Sequence, residues 1–436
     1  MRFASGLGGL GLSFSLKTFK LGDIAEVQTG PFGSQLHKED YTTSGTPIIT
    51  VEHLGDNRIL HENTPFVSDD DRQRLSKYSL KTGDIVFSRV GSVDRRAYVS
   101  NMEDGWLFSG RCLRVRVNNE TVIDPKFLSY FFGLEHFKEH VRNIAVGATM
   151  PSLNTKILSG LEILAPDVIT QKEIAKTLSS IDDKIELNSA INKNLEELAQ
   201  ALFKRWFVDF EFPNENGESY KSSGGELVDS ELGLIPKRWR VKPISDVAQI
   251  IRGASPRPIQ DFIRSSGMPW IKISDATESN SKYIIKTKEF IKEEGVEKSR
   301  KVVTGTLILS NSATPGIPKF VLIEACVHDG WLIFDNYDGV TKEFLYYLLL
   351  RDREKIVSFS NGSVFRNLKT DILKNHKIVI PEPTILKKAT EIFSKINEQI
   401  ESRVIEIESL IGIRDSLLPK LMKGKIRVSS GQERSI

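Results

Sequence analysis

Two stretches of this 436-residue chain have the spacing of known chemical motifs. His136, Glu139 and His140 read H-x-x-E-H, the pattern that sets two histidines on one helical face to bind zinc beside a glutamate. A third ligand would have to come from elsewhere. The equivalent helix later in the chain has Arg351, Asp352 and Arg353 and no histidine, so the expectation here is a solvated helix face. Gly6, Gly8 and Gly11 spell G-x-G-x-x-G, but only five residues precede Gly6, too few for the strand that a dinucleotide fold needs before its glycines. The expectation for 1–18 is a flexible tail. The sequence contains no phosphate loop, no G-x-S-x-G, no D/N-P-P-Y/F/W signature and no acidic cluster of nuclease type. Cys112 and Cys326 are the two cysteines, far apart and without disulfide or zinc spacing, which fits a reducing, cytoplasmic setting.

What does recur is a population of loop residues able to read nucleic acid. In the first half these are Ser34, Gln35, Lys38, Ser88, Arg89, Arg95, Arg96 and Thr149. In the second half they are Arg252, Ser255, Arg257, Asn311, Ser312 and Arg366. Arginine can pair bidentately with guanine, asparagine or glutamine with adenine, and serine or threonine with a base or a phosphate. Any one of them taken alone reads better as a solvated loop residue. The formal net charge of +3 does not decide the matter, because counterion release depends on local contacts rather than on the whole-chain sum.

Their placement in a repeat is what raises them as a set. LGDIAEVQTG at Leu21 returns as ISDVAQIIRG at Ile244, and GTPIITV at Gly45 returns as GMPWIKI at Gly267. TGDIVFS at Thr82 returns as TGTLILS at Thr304, and DGWLF at Asp104 as DGWLIF at Asp329. KFLSYFF at Lys126 returns as EFLYYLL at Glu343, and GATMPSL at Gly147 as GSVFRNL at Gly362. A seventh match runs to Pro166 in one copy and to Pro381 in the other. The order is kept, while the loops after the matched strands differ. That pattern suggests two recognitions of one kind with different targets.

Each copy runs into a long stretch with apolar residues at alternating steps of four and three. Over 170–207 these are Ile174, Leu178, Ile181, Ile185, Leu195, Ala199 and Leu202. Over 385–418 they are Phe393, Ile396, Ile400, Ile407, Leu410 and Leu417. Heptads of this kind predict two coiled-coil helices that pack antiparallel, with Asn188 near Arg403 either as a buried polar layer or pointing to solvent. Leu202, Phe203, Trp206, Phe207, Leu417, Leu418 and Leu421 crowd the helix ends; they either cap the coiled coil or dock another protein. The expected organisation is a tail (1–18), a domain (19–167), a helix (168–210), a polar linker (211–236), a second domain (237–382), a second helix (383–424) and a tail (425–436). The fold class is α/β (α+β), two similar globular domains joined by the helices as a pseudo-twofold repeat. A hydrophobic content of 39% and the lack of a long apolar run argue against a membrane span.

The pieces LFKRWFVDFEFP at Leu202, VDSELGLIPKRWRVKPISDVA at Val228 and LLPKLMKGKIRV at Leu417, with the duplicated plan, resemble the DNA-specificity (S) subunits of type I restriction-modification enzymes. The resemblance implies two target-recognition domains, each reading one half of a split double-stranded DNA target, with the helices as a ruler. It also implies two modification subunits and restriction (motor-nuclease) subunits as partners. S-adenosylmethionine, ATP and Mg2+ would belong to those partners and none to this chain, which is then a non-catalytic reader. The alternative is a coiled-coil scaffold with no DNA role.

Overall fold

The computed structural model describes residues 14–33, 35–147, 149–279, 281–358 and 367–426. The expectations for 1–13 and 427–436, and for Ser34 and Arg366, lie outside the described residues. The described residues fall into two compact units, one running to Lys184 and resuming at Leu410, the other Ile185–Ser409.

The first unit is built on a four-stranded antiparallel sheet in the order Ala25–Thr29, Cys112–Val117, Ile85–Ser88, Arg96–Tyr98. A second sheet runs Tyr41–Thr42, Phe66–Val67, Thr46–Ile49, Leu107–Phe108, its last pair parallel. Side chains alternate across a strand, so a strand between two apolar layers is apolar on both faces. Ile85 and Phe87 enter one core with Leu113 and Val115, while Val86 and Cys112 enter the other. The second unit repeats this plan. Leu307 and Leu309 face one core and Ile308 the other, as Leu332 and Phe334 oppose Trp331 and Ile333.

Strand register supports the matches at Leu21, Gly45 and Thr82 and the one ending at Pro166, and corrects one. The match of GATMPSL with GSVFRNL falls largely outside the described residues. Ser88 pairs with Cys112, and Ser310 pairs with Trp331. Phe108 and Val327 end the parallel pairs beside Ile49 and Ile271. Cys112 is therefore the counterpart of Trp331, and Asp329 corresponds to Gly110, not to Asp104. DGWLF and DGWLIF resemble one another by coincidence. The first lies in the turn before Leu107–Phe108, the second at the junction after Ala325–Val327. The single helical patch expected from 125 to 141 is two helices, Pro125–Phe131 and Glu135–Ile144. Between them is Gly133, where a Cβ would lie 2.3 Å from the Arg96 guanidinium.

The two long helices are Val168–Phe207 and Pro383–Met422, 40 residues each. Asp167 starts the first, its carboxylate accepting the N–H groups of Ile169 and Thr170 and the Thr170 hydroxyl. Pro383 opens the second, where its missing N–H costs nothing. Within the second unit they run antiparallel: Asn188 lies opposite Glu406, and Phe203 and Phe207 lie opposite Phe393. The polar layer at Asn188 exists, but its partner is Glu406 (2.8 Å). Arg403 instead bonds Gln399 on its own helix. The stretch 211–236 is no free linker. Phe212 stacks between Tyr220 and Trp239 (centroids 4.6 and 5.0 Å), and Leu227–Val228 pairs with Ile235–Pro236.

Of the two readings of the helix ends, docking another protein does not fit four residues. Phe203, Trp206 and Phe207 are buried in the second unit against Phe344, Tyr347, Trp239 and Phe393, and Leu421 is buried in the first unit's core. These groups face away from water because their own chain covers them. Leu202, Leu417 and Leu418 remain partly exposed at the edges of those cores.

Each domain grips its long helices through a polar cluster, buried in the second unit and partly open to solvent in the first. In the first unit Arg414 bridges Asp56 (2.8 Å) and Asp182 (2.9 Å), and the Tyr130 hydroxyl donates to Asp182 (2.5 Å). In the second unit Lys282, its side chain 2% exposed, bridges Glu196 (2.7 Å), Asn397 (2.6 Å) and the Tyr347 hydroxyl (2.9 Å).

Candidate nucleic-acid interface

The site residues of the second unit converge on one residue that the sequence did not single out. Asp329 sits in the turn entering Trp331–Asp335, beside the end of Gln249–Arg252. Its carboxylate accepts the Ser255 hydroxyl (2.6 Å) and Arg257 Nη2 (3.2 Å). Its carbonyl accepts Arg252 Nε (2.9 Å) and Asn311 Nδ2 (3.2 Å). Burial pulls the carboxyl upward, but the Ser255 hydrogen bond and the Arg257 charge outweigh it and hold Asp329 below the usual carboxylate range. Arg252, Asn311, Ser312, Asp329, Asn367 and Lys369 line a cavity of about 450 Å³. Gly330 also lines it. A Cβ there would lie 2.1 Å from the His328 ring and 2.6 Å from Ser312 Oγ, so any side chain would displace one of them. His328 Nδ1 accepts the Gly330 N–H, and burial lowers the imidazole pKa, so the ring stands neutral beside the acid.

The first unit has the same backbone frame with a different loop surface. Arg89 N–H donates to the Arg111 carbonyl as Asn311 N–H does to Gly330, and Leu153 N–H reaches Arg89 as Leu368 N–H reaches Asn311. Arg89 is thus the counterpart of Asn311. Its Nη1 donates to the Gly110 carbonyl (3.0 Å), and its guanidinium lies over the exposed Phe32 ring (5.6 Å). Gln35 accepts from the Tyr78 hydroxyl (2.7 Å), Lys38 is exposed in the turn Lys38–Asp40, and Thr149 is exposed. Arg95 is half-buried and donates to the Leu54 carbonyl.

Two expected readers are structural. Ser88 is fully buried, and its hydroxyl donates to the Val90 carbonyl (2.8 Å), just as its counterpart Ser310 donates to Thr314 (2.6 Å). Arg96 is 4% exposed, with Nε on the Ser129 carbonyl (3.2 Å) and Nη1 near Asp56 (3.5 Å). Sequence shows that an arginine follows a strand, but strand register decides which face it takes. Reasoning from sequence also missed Asp329, because the coincidental match to Asp104 assigned it to the framework. Among the described residues no three His, Cys, Asp or Glu side chains gather to hold a metal, and no helix is long and apolar enough to cross a membrane.

Comparison with known proteins fits this geometry. The sequence model of a family described as the type I restriction modification DNA specificity domain matches twice, over residues 15–197 and 236–409. The type I restriction enzyme HindI specificity subunit of Haemophilus influenzae is 27% identical, covering 94% of this chain and 99% of that protein. The MjaIX specificity subunit of Methanocaldococcus jannaschii is 26% identical, covering 94% and 93%. The crystal structure of the type I restriction-modification S subunit from M. genitalium shares the fold, with a TM-score of 0.59 at 15% identity, covering 97% of this chain and 98% of that one.

Proposed function

The chain belongs to the type I restriction modification DNA specificity family, and from this premise we propose that each of its domains reads one half of a split duplex target. The double family match carries the reading, one match per domain, laid over loops that share a register and differ in residues. The chain is the sequence-reading, non-catalytic subunit. Arg89, Gln35, Lys38, Arg95 and Thr149 supply the first domain's surface, and Arg252, Ser255, Arg257, Asn311 and Ser312 the second's. Arginines contribute guanine or phosphate contacts, and the amide and hydroxyl groups contribute adenine or backbone contacts. Two modification subunits methylate an adenine in each half with S-adenosylmethionine. Restriction subunits bring the ATP- and Mg2+-dependent motor and nuclease, and the assembly works on DNA in the cytoplasm. The long helices set the gap, each about 60 Å long against roughly 34 Å for a duplex turn.

The test is a domain exchange. Replacing residues 19–167 by the same part of another family member, then mapping methylated adenines in cells, should change one half of the target only. A change in both halves, or in neither, overturns the reading. Removing one heptad from both long helices should alter the gap, and an unaltered gap removes the ruler from it.

A further inference from the structure

We propose that Asp329 is a specificity-determining residue of the second domain, its carboxylate accepting the exocyclic amino group of a cytosine or adenine in the major groove. The inference rests on the DNA-reading function proposed above and names the chemistry at one position of it. A carboxylate is an unexpected group on a surface that meets phosphates. Here Arg252 and Arg257 are held directly against Asp329, one on its carbonyl and one on its carboxylate, so the acid is locally offset. Its side chain is 41% exposed and borders the cavity lined by Asn311, Ser312, Asn367 and Lys369. A carboxylate has about four acceptor sites, and Ser255 and Arg257 occupy two of them. The remaining lone pairs accept only a donor. In the major groove, cytosine N4 and adenine N6 are donors, whereas guanine O6 and N7 and thymine O4 are acceptors that an anion repels. The residue therefore selects as much by exclusion as by attraction.

The first domain cannot do the same. Its residue at this place is Gly110, and a Cβ there would stand 2.1 Å from the Pro31 carbonyl oxygen. Only the backbone carbonyl is retained, and it holds Arg89. At this place, then, only the second domain presents a carboxylate.

The experiment uses the full chain assembled with its modification subunits and a randomised duplex library, comparing wild type with Asp329→Asn and Arg257→Ala. The amide of Asp329→Asn has the same shape but can donate as well as accept. It should relax one base position of one half-site by roughly 5- to 150-fold, the range of a single base contact. Guanine or thymine should be admitted there, with the other half-site unchanged. Whether cytosine or adenine is lost identifies the base that wild type prefers. Arg257→Ala, which removes the guanidinium held on that carboxylate, should weaken binding and alter preference in the same half-site only; an effect in the other half-site counts against the proposal. An Asp329→Asn profile identical to wild type, or one weakened evenly across all positions of that half-site, overturns the proposal. Wild-type enrichment of no split sequence at all would overturn the DNA-reading function itself, so the two failures are distinct.

Discussion

Tyr130 and Tyr347 occupy equivalent places, one on each of the matched helices Pro125–Phe131 and Lys342–Arg351, and each contacts a long helix. In the first domain the tyrosine hydroxyl donates to Asp182, and Arg414 on the other long helix joins that acid to Asp56 in a domain loop. In the second domain the hydroxyl accepts from Lys282, and Lys282 reaches Glu196 on the other long helix. Lys282 is a loop residue whose carbonyl accepts the Phe320 N–H, as the carbonyl of Asn57, beside Asp56, accepts that of Tyr98. Asn397 stands where Asp182 stands. The same junction is therefore built with the charges exchanged: loop acid to helix cation in one unit, loop cation to helix acid in the other. Facing the Lys282 loop with Arg414, or the Asp56 loop with Glu196, would bring like charges together, at the greater cost around the buried Lys282. The polar cluster thus matches each domain to its own portion of the helices, where interchangeable apolar contacts would not.

Breaking the more buried junction should cost most. Lys282→Ala strands Glu196, Asn397 and Tyr347, and about 3–5 kcal/mol of the second unit's stability should be lost. Four of the five tryptophans, Trp206, Trp239, Trp270 and Trp331, lie in that unit, so guanidinium unfolding followed by fluorescence reports it. Replacing Lys282 by Met together with Glu196→Leu should restore most of the loss; no recovery would mean that the charge pair is not what holds the junction.

Arg414→Ala should cost less, about 2–3 kcal/mol, because Asp56 faces solvent and rehydrates. Loss of amide-exchange protection around Tyr130 with unchanged fluorescence of Trp270 and Trp331 would place the effect in the first unit. Spread to the second unit would contradict the separation drawn here.

Acid should distinguish the units further. Burial pulls Asp352 upward, but hydrogen bonds from His376 (2.9 Å) and Arg351 (2.6 Å) outweigh it and hold its carboxyl at about 2. A depressed folded pKa gives stability that is present above the unfolded value near 3.9 and lost as pH falls toward 2. About 2 kcal/mol of the second unit's stability should disappear between about pH 4 and 2, and Asp352→Asn should flatten that slope. A slope of equal size in the variant would remove Asp352 as its source.

The smallest expected effect concerns reading. Arg89→Ala and Asn311→Ala, at equivalent positions, should each cost roughly 1–2 kcal/mol of discrimination in opposite half-sites. Library selection with the assembled complex checks this, and both effects falling in one half-site would break the equivalence.

The sequence determined what local pattern determines. Short apolar runs bounded by turn residues mark strands such as Ile85–Ser88 and Leu307–Ser310, heptads mark the two 40-residue helices, and order-preserving matches mark two copies of one fold. These signals are local, a short run or a repeat every three to four residues, so they survive without a partner in view. Tertiary structure alone decided which side chain meets which. Register moved the counterpart of Asp329 from Asp104 to Gly110 and gathered Arg252, Ser255, Arg257 and Asn311 around one acid. Ser88 and Arg96 turned inward, and Lys282 met Glu196 and Asn397 across long stretches of chain. Those pairings arise because a strand's register and a helix's docking face are fixed by the whole core, and no window of sequence contains the whole core.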